Sequence, residues 1–181
     1  MAMDEAKIRP ATMADLPGIA AVMERAIAEL QKPFLDPDQI AASRRSMGLD
    51  TTLVADGTYF CVELGGALAG CGGWSRRATL YGGDQSAETR DDRLLDPAHE
   101  PARVRAMYTD PAFVRRGVGR MILAACESAA RAAGFARLEM MATAAGEPLY
   151  AACGYEVVER VERMAADGVA VPGAVMAKDL D

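Results

Sequence analysis

Apolar positions along the chain follow two periods, and the switches between them outline the elements. Leu16, Ile19, Ala20, Met23, Ile27 and Leu30 recur at the spacing of one helix face, behind the capping candidates Thr12 and Asp15. A first helix is therefore predicted over residues 15–30, preceded by a short strand at 6–11 whose Pro10 suits an edge or strand end. Pro33 and Pro37 interrupt the period, and Asp36 with Pro37 opens a second helix that Gly48 ends. Residues 59–64 are rich in strand formers, Gly65 and Gly66 make a turn, and residues 67–74 return as the third strand of a hairpin.

Residues 75–102 break both periods. They form a long polar insert with Gly82, Gly83 and two prolines, and inserts of this length without periodicity are often functional. Strand pattern resumes at 103–109. Helical spacing returns with Val118, Met121, Ile122, Ala125, Ala129 and Ala132 and stops at Gly134. A strand at 137–141, a short helix at 148–152 and two strands at 155–161 and 169–178 around Asp167 and Gly168 complete the chain. Hairpins and a βαβ unit in one chain predict a single α/β domain over residues 1–181 with a mixed sheet.

Composition removes options. With one histidine, His99, and no asparagine, schemes built on two metal-bound histidines or a Cys/His/Asn set are excluded. The four cysteines at 61, 71, 126 and 153 have neither zinc nor redox spacing and read as reduced thiols of an intracellular protein. No metal is expected. No apolar run nears the ~18 residues of a membrane span, and residues 1–7 carry two acids, so no membrane association is expected and the predicted location is cytoplasmic. The net charge of -6 argues against nucleic acid as a partner, since a phosphate backbone would be repelled.

Against that acidic background one segment stands out. Val114, Arg115, Arg116, Gly117, Val118, Gly119 and Arg120 lie between a predicted strand and a predicted helix. Backbone amides at a helix start form an anion site, glycines let a phosphate approach, and three arginines add charge, so pyrophosphate binding follows. A dinucleotide fingerprint would need a third glycine where Ile122 stands, and a P-loop needs Gly-Lys-Ser/Thr; both are excluded.

With these motifs in order, the chain resembles the GCN5-related N-acetyltransferase family, whose signature is Gln/Arg-x-x-Gly-x-Gly/Ala between the fourth strand and third helix. The likeness extends to the opening strand-to-helix junction at residues 8–15, the third strand at 67–74 and the short-helix motif at 148–155. It implies a central mixed, mostly antiparallel sheet of six to seven strands flanked by about four helices, with the fourth and fifth strands splayed. It also implies an acyltransferase that moves the acetyl group of acetyl-CoA, its cosubstrate, to an amine of a small molecule or peptide, by direct attack through a tetrahedral intermediate. A homodimer is left open.

The resemblance also assigns roles. Met107, Tyr108 and Thr109 would offer backbone hydrogen bonds to the pantetheine arm, and Arg115, Arg116, Gly117, Val118, Gly119 and Arg120 would hold the pyrophosphate. A backbone N–H of Tyr108 or Thr109 would stabilise the oxyanion. Tyr150 matches the tyrosine that protonates departing thiolate; its alternative role is a buried ring anchoring the short helix. Val114 departs from the signature's Gln or Arg, and residues 142–146 lack the family's asparagine, for which Thr143 is a weak substitute. The general base stays open among Glu139, Asp84, His99 and a water. Trp74 could line an acceptor pocket or pack in the core, and Cys153 reads as a small core residue. The acidic excess favours a cationic or amine-bearing acceptor. The rival expectation is a CoA-binding sensor or interaction module without turnover.

Overall fold

A computed structural model describes residues 5–181; of the N-terminal stretch read above for targeting signals, residues 1–4 lie outside it. Seven strands form one sheet: β1 (Lys7–Pro10), β2 (Tyr59–Leu64), β3 (Ala67–Ser75), β4 (Ala102–Thr109), β5 (Arg137–Thr143), β6 (Glu156–Met164) and β7 (Ala170–Asp179). Their spatial order is β1-β2-β3-β4-β5-β7-β6. Among the described residues only β4 and β5 run parallel. Among the described residues five α-helices, against about four expected, surround the sheet: α1 (Leu16–Leu30), α2 (Pro37–Ser46), α3 (Thr51–Ala55), α4 (Val118–Ala132) and α5 (Glu147–Ala152). The fifth is α3, whose five residues are too few to show a period.

Local chemistry places the helix starts. The Asp15 carboxylate accepts from the Thr12 amide at 2.7 Å ahead of α1, and Pro17 occupies its first turn. At α2, Asp36 accepts from the Gln39 amide at 2.8 Å while Gln39 Oε1 accepts from the Asp36 amide at 3.0 Å. Ile19, Val22, Met23, Ala26 and Ile27 turn one stripe of α1 inward, where it packs with Leu53 and Val54 of α3 on one face of the sheet. Ile122, Leu123, Cys126 and Ala130 of α4 cover the other face with Trp74, Phe135, Leu138 and Met140. The sheet is thus sandwiched, and a sheet with both faces covered leaves its edges and openings as the places for chemistry.

One opening lies inside the sheet. The parallel ladder between β4 and β5 has two rungs, Ala102 with Leu138 and Arg103 with Glu139, and then stops. On the opposite side of β4 the register to β3 slips: Cys71 pairs with Tyr108 but Gly73 with Arg105, so one residue of β3 faces two of β4. This is a β-bulge, and Ala106 within it has φ +50°, in the left-handed region. The extra residue bends β4 away from β5.

Small residues and one phenol hold the bend. A β-carbon at Gly72 would come within 2.4 Å of Met107 Sδ, and one at Gly73 within 2.3 Å of the Thr58 carbonyl and 2.9 Å of the Tyr59 ring. The glycines of β3 therefore admit the bulge on one side and the Tyr59 ring on the other. The buried Tyr59 hydroxyl donates to the Ala106 carbonyl at 2.7 Å, satisfying a group that the slipped ladder cannot. Tyr59→Phe keeps the ring and loses this bond, so it is expected to lower stability by about 1 kcal/mol. Urea denaturation measures it.

Candidate active site

Where β4 leaves β5, two cavities meet. The larger, about 560 Å³, runs between β4, the start of α4, α5 and the inner side of α1. The smaller, about 90 Å³, lies beyond the gap under the end of α2, residues 80–83 of the insert and β6. Met47, Met107, Tyr108, Thr143 and Tyr150 line both. A molecule in the larger cavity and one in the smaller would therefore meet at these five residues.

The larger cavity collects nearly all the residues expected for the cofactor. Met107, Tyr108, Thr109, Arg115, Gly117, Val118, Gly119 and Arg120 line it. Arg116 is outside the lining; its guanidinium sits 5.6 Å over the Phe113 ring, and Phe113 is itself in the wall. The connection from β4 is tied down by Asp110, which accepts from the Ala112 amide at 2.9 Å and from Arg25 of α1 at 2.6 and 2.9 Å. Arg115 at φ +64° and Gly117 at φ +80° then turn the chain into α4, whose first residues line the cavity. The first-turn amides of α4 have no partner within the helix and carry its positive dipole end. Among the described residues no carboxylate pairs with Arg115, Arg116 or Arg120. In an acidic protein this is a concentration of uncompensated positive charge suited to a phosphorylated ligand.

The two signature glycines have different causes. Gly117 needs a left-handed backbone, and a β-carbon there would meet nothing within 4 Å. Gly119 needs space: a β-carbon would lie 2.5 Å from Leu149 Cδ2. The sequence credits both with close phosphate approach; the second, which also lines the cavity, has the further role of admitting Leu149 of α5 against α4.

Tyr150 is held on α5 at the meeting of the cavities. Its ring packs over Gly146, where a β-carbon would come within 2.8 Å, and edge-on to Tyr155 with centroids 6.2 Å apart. Burial raises the pKa of its phenol above the ordinary value, and that of Tyr108 as well. Thr143 Oγ1 accepts from the Gly146 amide at 3.1 Å at the start of α5.

None of the side chains considered as general base enters either cavity. Glu139 pairs with Arg103 at 3.2 Å beside the last rung of the parallel ladder. Asp84 accepts from the Thr51 amide at 3.0 Å, at the start of α3. His99 is exposed and bound to Asp96 at 2.7 Å, which raises its pKa. Trp74 is buried against Phe135 at 6.1 Å and lies outside both linings.

Sequence reading missed the walls of the smaller cavity. Ser46, Met47 and Gly48, Tyr81 of the insert and Arg163 of β6 come together only because α2 and the insert fold over the open end of the sheet. A buried ion pair fixes that wall: Arg105 donates to Asp50 at 2.9 Å, to the Gly82 carbonyl at 2.5 Å and to the Thr79 carbonyl at 3.3 Å. Arg163 had no local signal, because it stands in an alternating run of acids and bases on an edge strand.

This architecture has known relatives. The model of the Acetyltransferase (GNAT) family matches residues 20–155, and the chain belongs to that family. It is a GNAT-type N-acetyltransferase. Among solved structures, a GCN5-related N-acetyltransferase from Rhodopseudomonas palustris aligns over 99% of both chains at 21% identity with a TM-score of 0.71. PaiA N-acetyltransferase from Thermoplasma acidophilum, in complex with coenzyme A, covers 97% of this chain and 99% of its own at 11% identity and TM-score 0.64. For yncA from Salmonella typhimurium, with its cofactor acetyl-CoA, the figures are 98% and 95% at 19% identity and TM-score 0.64. A comparison with curated protein sequences gives no match.

No helix among the described residues is long and apolar enough to cross a membrane. Gly119→Ala should cost about 1–3 kcal/mol by forcing Leu149 off α4. Its denaturation midpoint, compared with that of Gly117→Ala, tests the separate roles of the two glycines: only the former should be rescued by Leu149→Ala.

Proposed function

We propose that the protein transfers the acetyl group of acetyl-CoA, bound in the larger cavity as a cosubstrate, to a primary amine entering through the smaller one. The observation that carries this reading is the junction itself: the two cavities share Tyr150 and the opened stretch of β4. Each part of the reaction then has a residue suited to it.

The α4 amides, Arg115 and Arg120 hold the diphosphate, with Arg116 adding longer-range charge. Along β4, the Asp110 amide bonds the Ala69 carbonyl on β3. Backbone direction alternates along a strand, so the Thr109 amide is turned to the opened side, where no β5 rung competes for it. That amide, with Met107's, is available to the pantetheine arm and to the oxygen that gains charge as the amine attacks. Tyr150 donates the proton to the departing thiolate. Its raised pKa keeps it protonated across the working range, as a general acid at this step requires.

The smaller cavity is lined by neither carboxylate nor imidazole. In this reading the amine's proton accordingly leaves through water. The absence of Glu139, Asp84 and His99 from both linings supports the water among the base candidates.

Four outcomes check this. Coenzyme A should raise the melting temperature, and thiol should be released from acetyl-CoA with some members of a panel of primary amines. Binding without turnover on any amine would favour a sensor, and no thermal shift would remove both readings. Tyr150→Phe should lower kcat by about 100-fold while leaving CoA affinity within about twofold. In the wild type, kcat should rise with pH as the amine deprotonates and should not fall near the ordinary tyrosine pKa of ~10, because burial moves that descending limb to higher pH. Replacing Arg115 and Arg120 together by alanine should weaken CoA binding at low salt and flatten its salt dependence, whereas Arg116→Ala should do less.

A further inference from the structure

Arg163 stands in the wall of the smaller cavity with its charge unanswered. Its guanidinium lies 5.3 Å over the Tyr81 ring, and Nη1 donates to Ser46 Oγ at 3.2 Å. The Nε–H is buried and has no hydrogen-bond partner. Among the described residues no carboxylate lies within ion-pair distance of it, and the Ser46 bond is the only one that its five donors make. Burial pulls its pKa down, yet an arginine remains protonated in proteins. The other arginine of this cavity is different in each respect: Arg105 is neutralised by Asp50 and spends its donors on backbone carbonyls.

A buried donor on a charged group is costly to leave unmet. Here the surroundings hold the fork in place, with Tyr81 on its face and Ser46 at one end, and Arg163 belongs to the lining of the cavity where the acceptor enters. We propose that Arg163 binds a carboxylate of the acceptor, so that the amine acetylated by this enzyme is a small amino carboxylate such as a free amino acid. This rests on the acetyl-transfer reading above and names the substrate class for the same site.

Charge and size both support one carboxylate over a phosphate. The lining contains a single uncompensated cation, which matches one negative charge, and a planar guanidinium pairs with a planar carboxylate through two parallel bonds. At about 90 Å³ the cavity falls well below the ~300 Å³ at which sites for larger ligands begin, so only a small group is enclosed. Met47, Met107, Met140 and Met141 supply adaptable apolar walls for the remainder. The net charge of the chain suggested a cationic or amine-bearing acceptor; the unpaired Arg163 in this lining adds a place for a negative group on that amine-bearing molecule.

The test compares L-amino acids with their carboxamides as acceptors, by thiol release from acetyl-CoA. The carboxamide's amine is less basic and more often neutral, which works against the proposal and makes the comparison strict. For the best acceptor, kcat/KM of the carboxylate should exceed that of the carboxamide by about tenfold or more, as expected of a charge-assisted bond. In Arg163→Met, which keeps the apolar stem beneath Tyr81, that preference should fall below about threefold through a rise in acceptor KM, with the KM for acetyl-CoA changed less than about twofold. Arg163→Lys should recover part of the preference, since it restores the charge without the fork. Equal use of carboxylate and carboxamide by the wild type, or a preference that survives in Arg163→Met, would overturn the assignment.

A binding arm separates this from failure of the transfer reading. With saturating coenzyme A present, amino acids should raise the melting temperature of the wild type more than their carboxamides do, and the difference should vanish in Arg163→Met. That pattern without thiol release would sink the transferase reading and keep the carboxylate site. Thiol release with no such pattern in either arm would do the reverse.

Discussion

The site depends on one strained residue. Ala106 takes a left-handed backbone conformation inside β4, and the extra residue it represents turns the strand out of register with β3 and away from β5. A continuous parallel ladder here would close the sheet and occupy every backbone group on the β5 side of β4. Instead the ladder ends after two rungs, and a stretch of strand is left with donors facing open space. Strain of this kind persists only where the surroundings over-determine it. Here they do so through the Tyr59 hydroxyl on the Ala106 carbonyl and through the glycines of β3, which leave no side chain where Met107 and Tyr59 must lie.

The protein divides its charge unevenly, and that division gives the two cavities their characters. Most arginines are spent internally: Arg9 on Asp15 and Glu63, Arg25 on Asp110, Arg77 on Asp56, Arg93 on Glu100 and Arg105 on Asp50. The arginines left free at the start of α4, and Arg163 across the gap, line or adjoin the cavities. An overall charge of -6 therefore coexists with positive potential where ligands enter, because potentials close to a low-dielectric cleft are set by the nearest uncompensated groups.

The long insert acts as a wall and not as a loose loop. Thr79 exchanges bonds with Asp91, Arg77 bridges to Asp56, and the carbonyls of Thr79 and Gly82 receive Arg105 from the sheet. Asp84 takes part by accepting from the Thr51 amide and lying 3.7 Å from Arg90. These bonds hold residues 80–83 over the opening of the sheet, opposite Arg163. Asp84, one of the open base candidates in the sequence, thus takes part in holding this wall together.

The sequence by itself determined the seven strands and four of the five α-helices, in order, because hydrophobic period, caps and turn residues act over a few residues; the five-residue α3 was too short to show a period. The face of α1, the hairpin at Gly65 and Gly66, and the arginine-glycine start of α4 were all readable, and the motifs in order marked the family. Contacts between distant segments were not. The end of the β4–β5 ladder, the phenol of Tyr59 on Ala106, the use of Gly119 by Leu149, the pairing of Glu139 with Arg103 and the placement of Arg163 beside Tyr81 and Ser46 join residues up to 117 positions apart. No local pattern encodes such a meeting. The physical reason is that a local period specifies which face of an element is buried, while the partner of each polar group is chosen by how the layers close over the sheet.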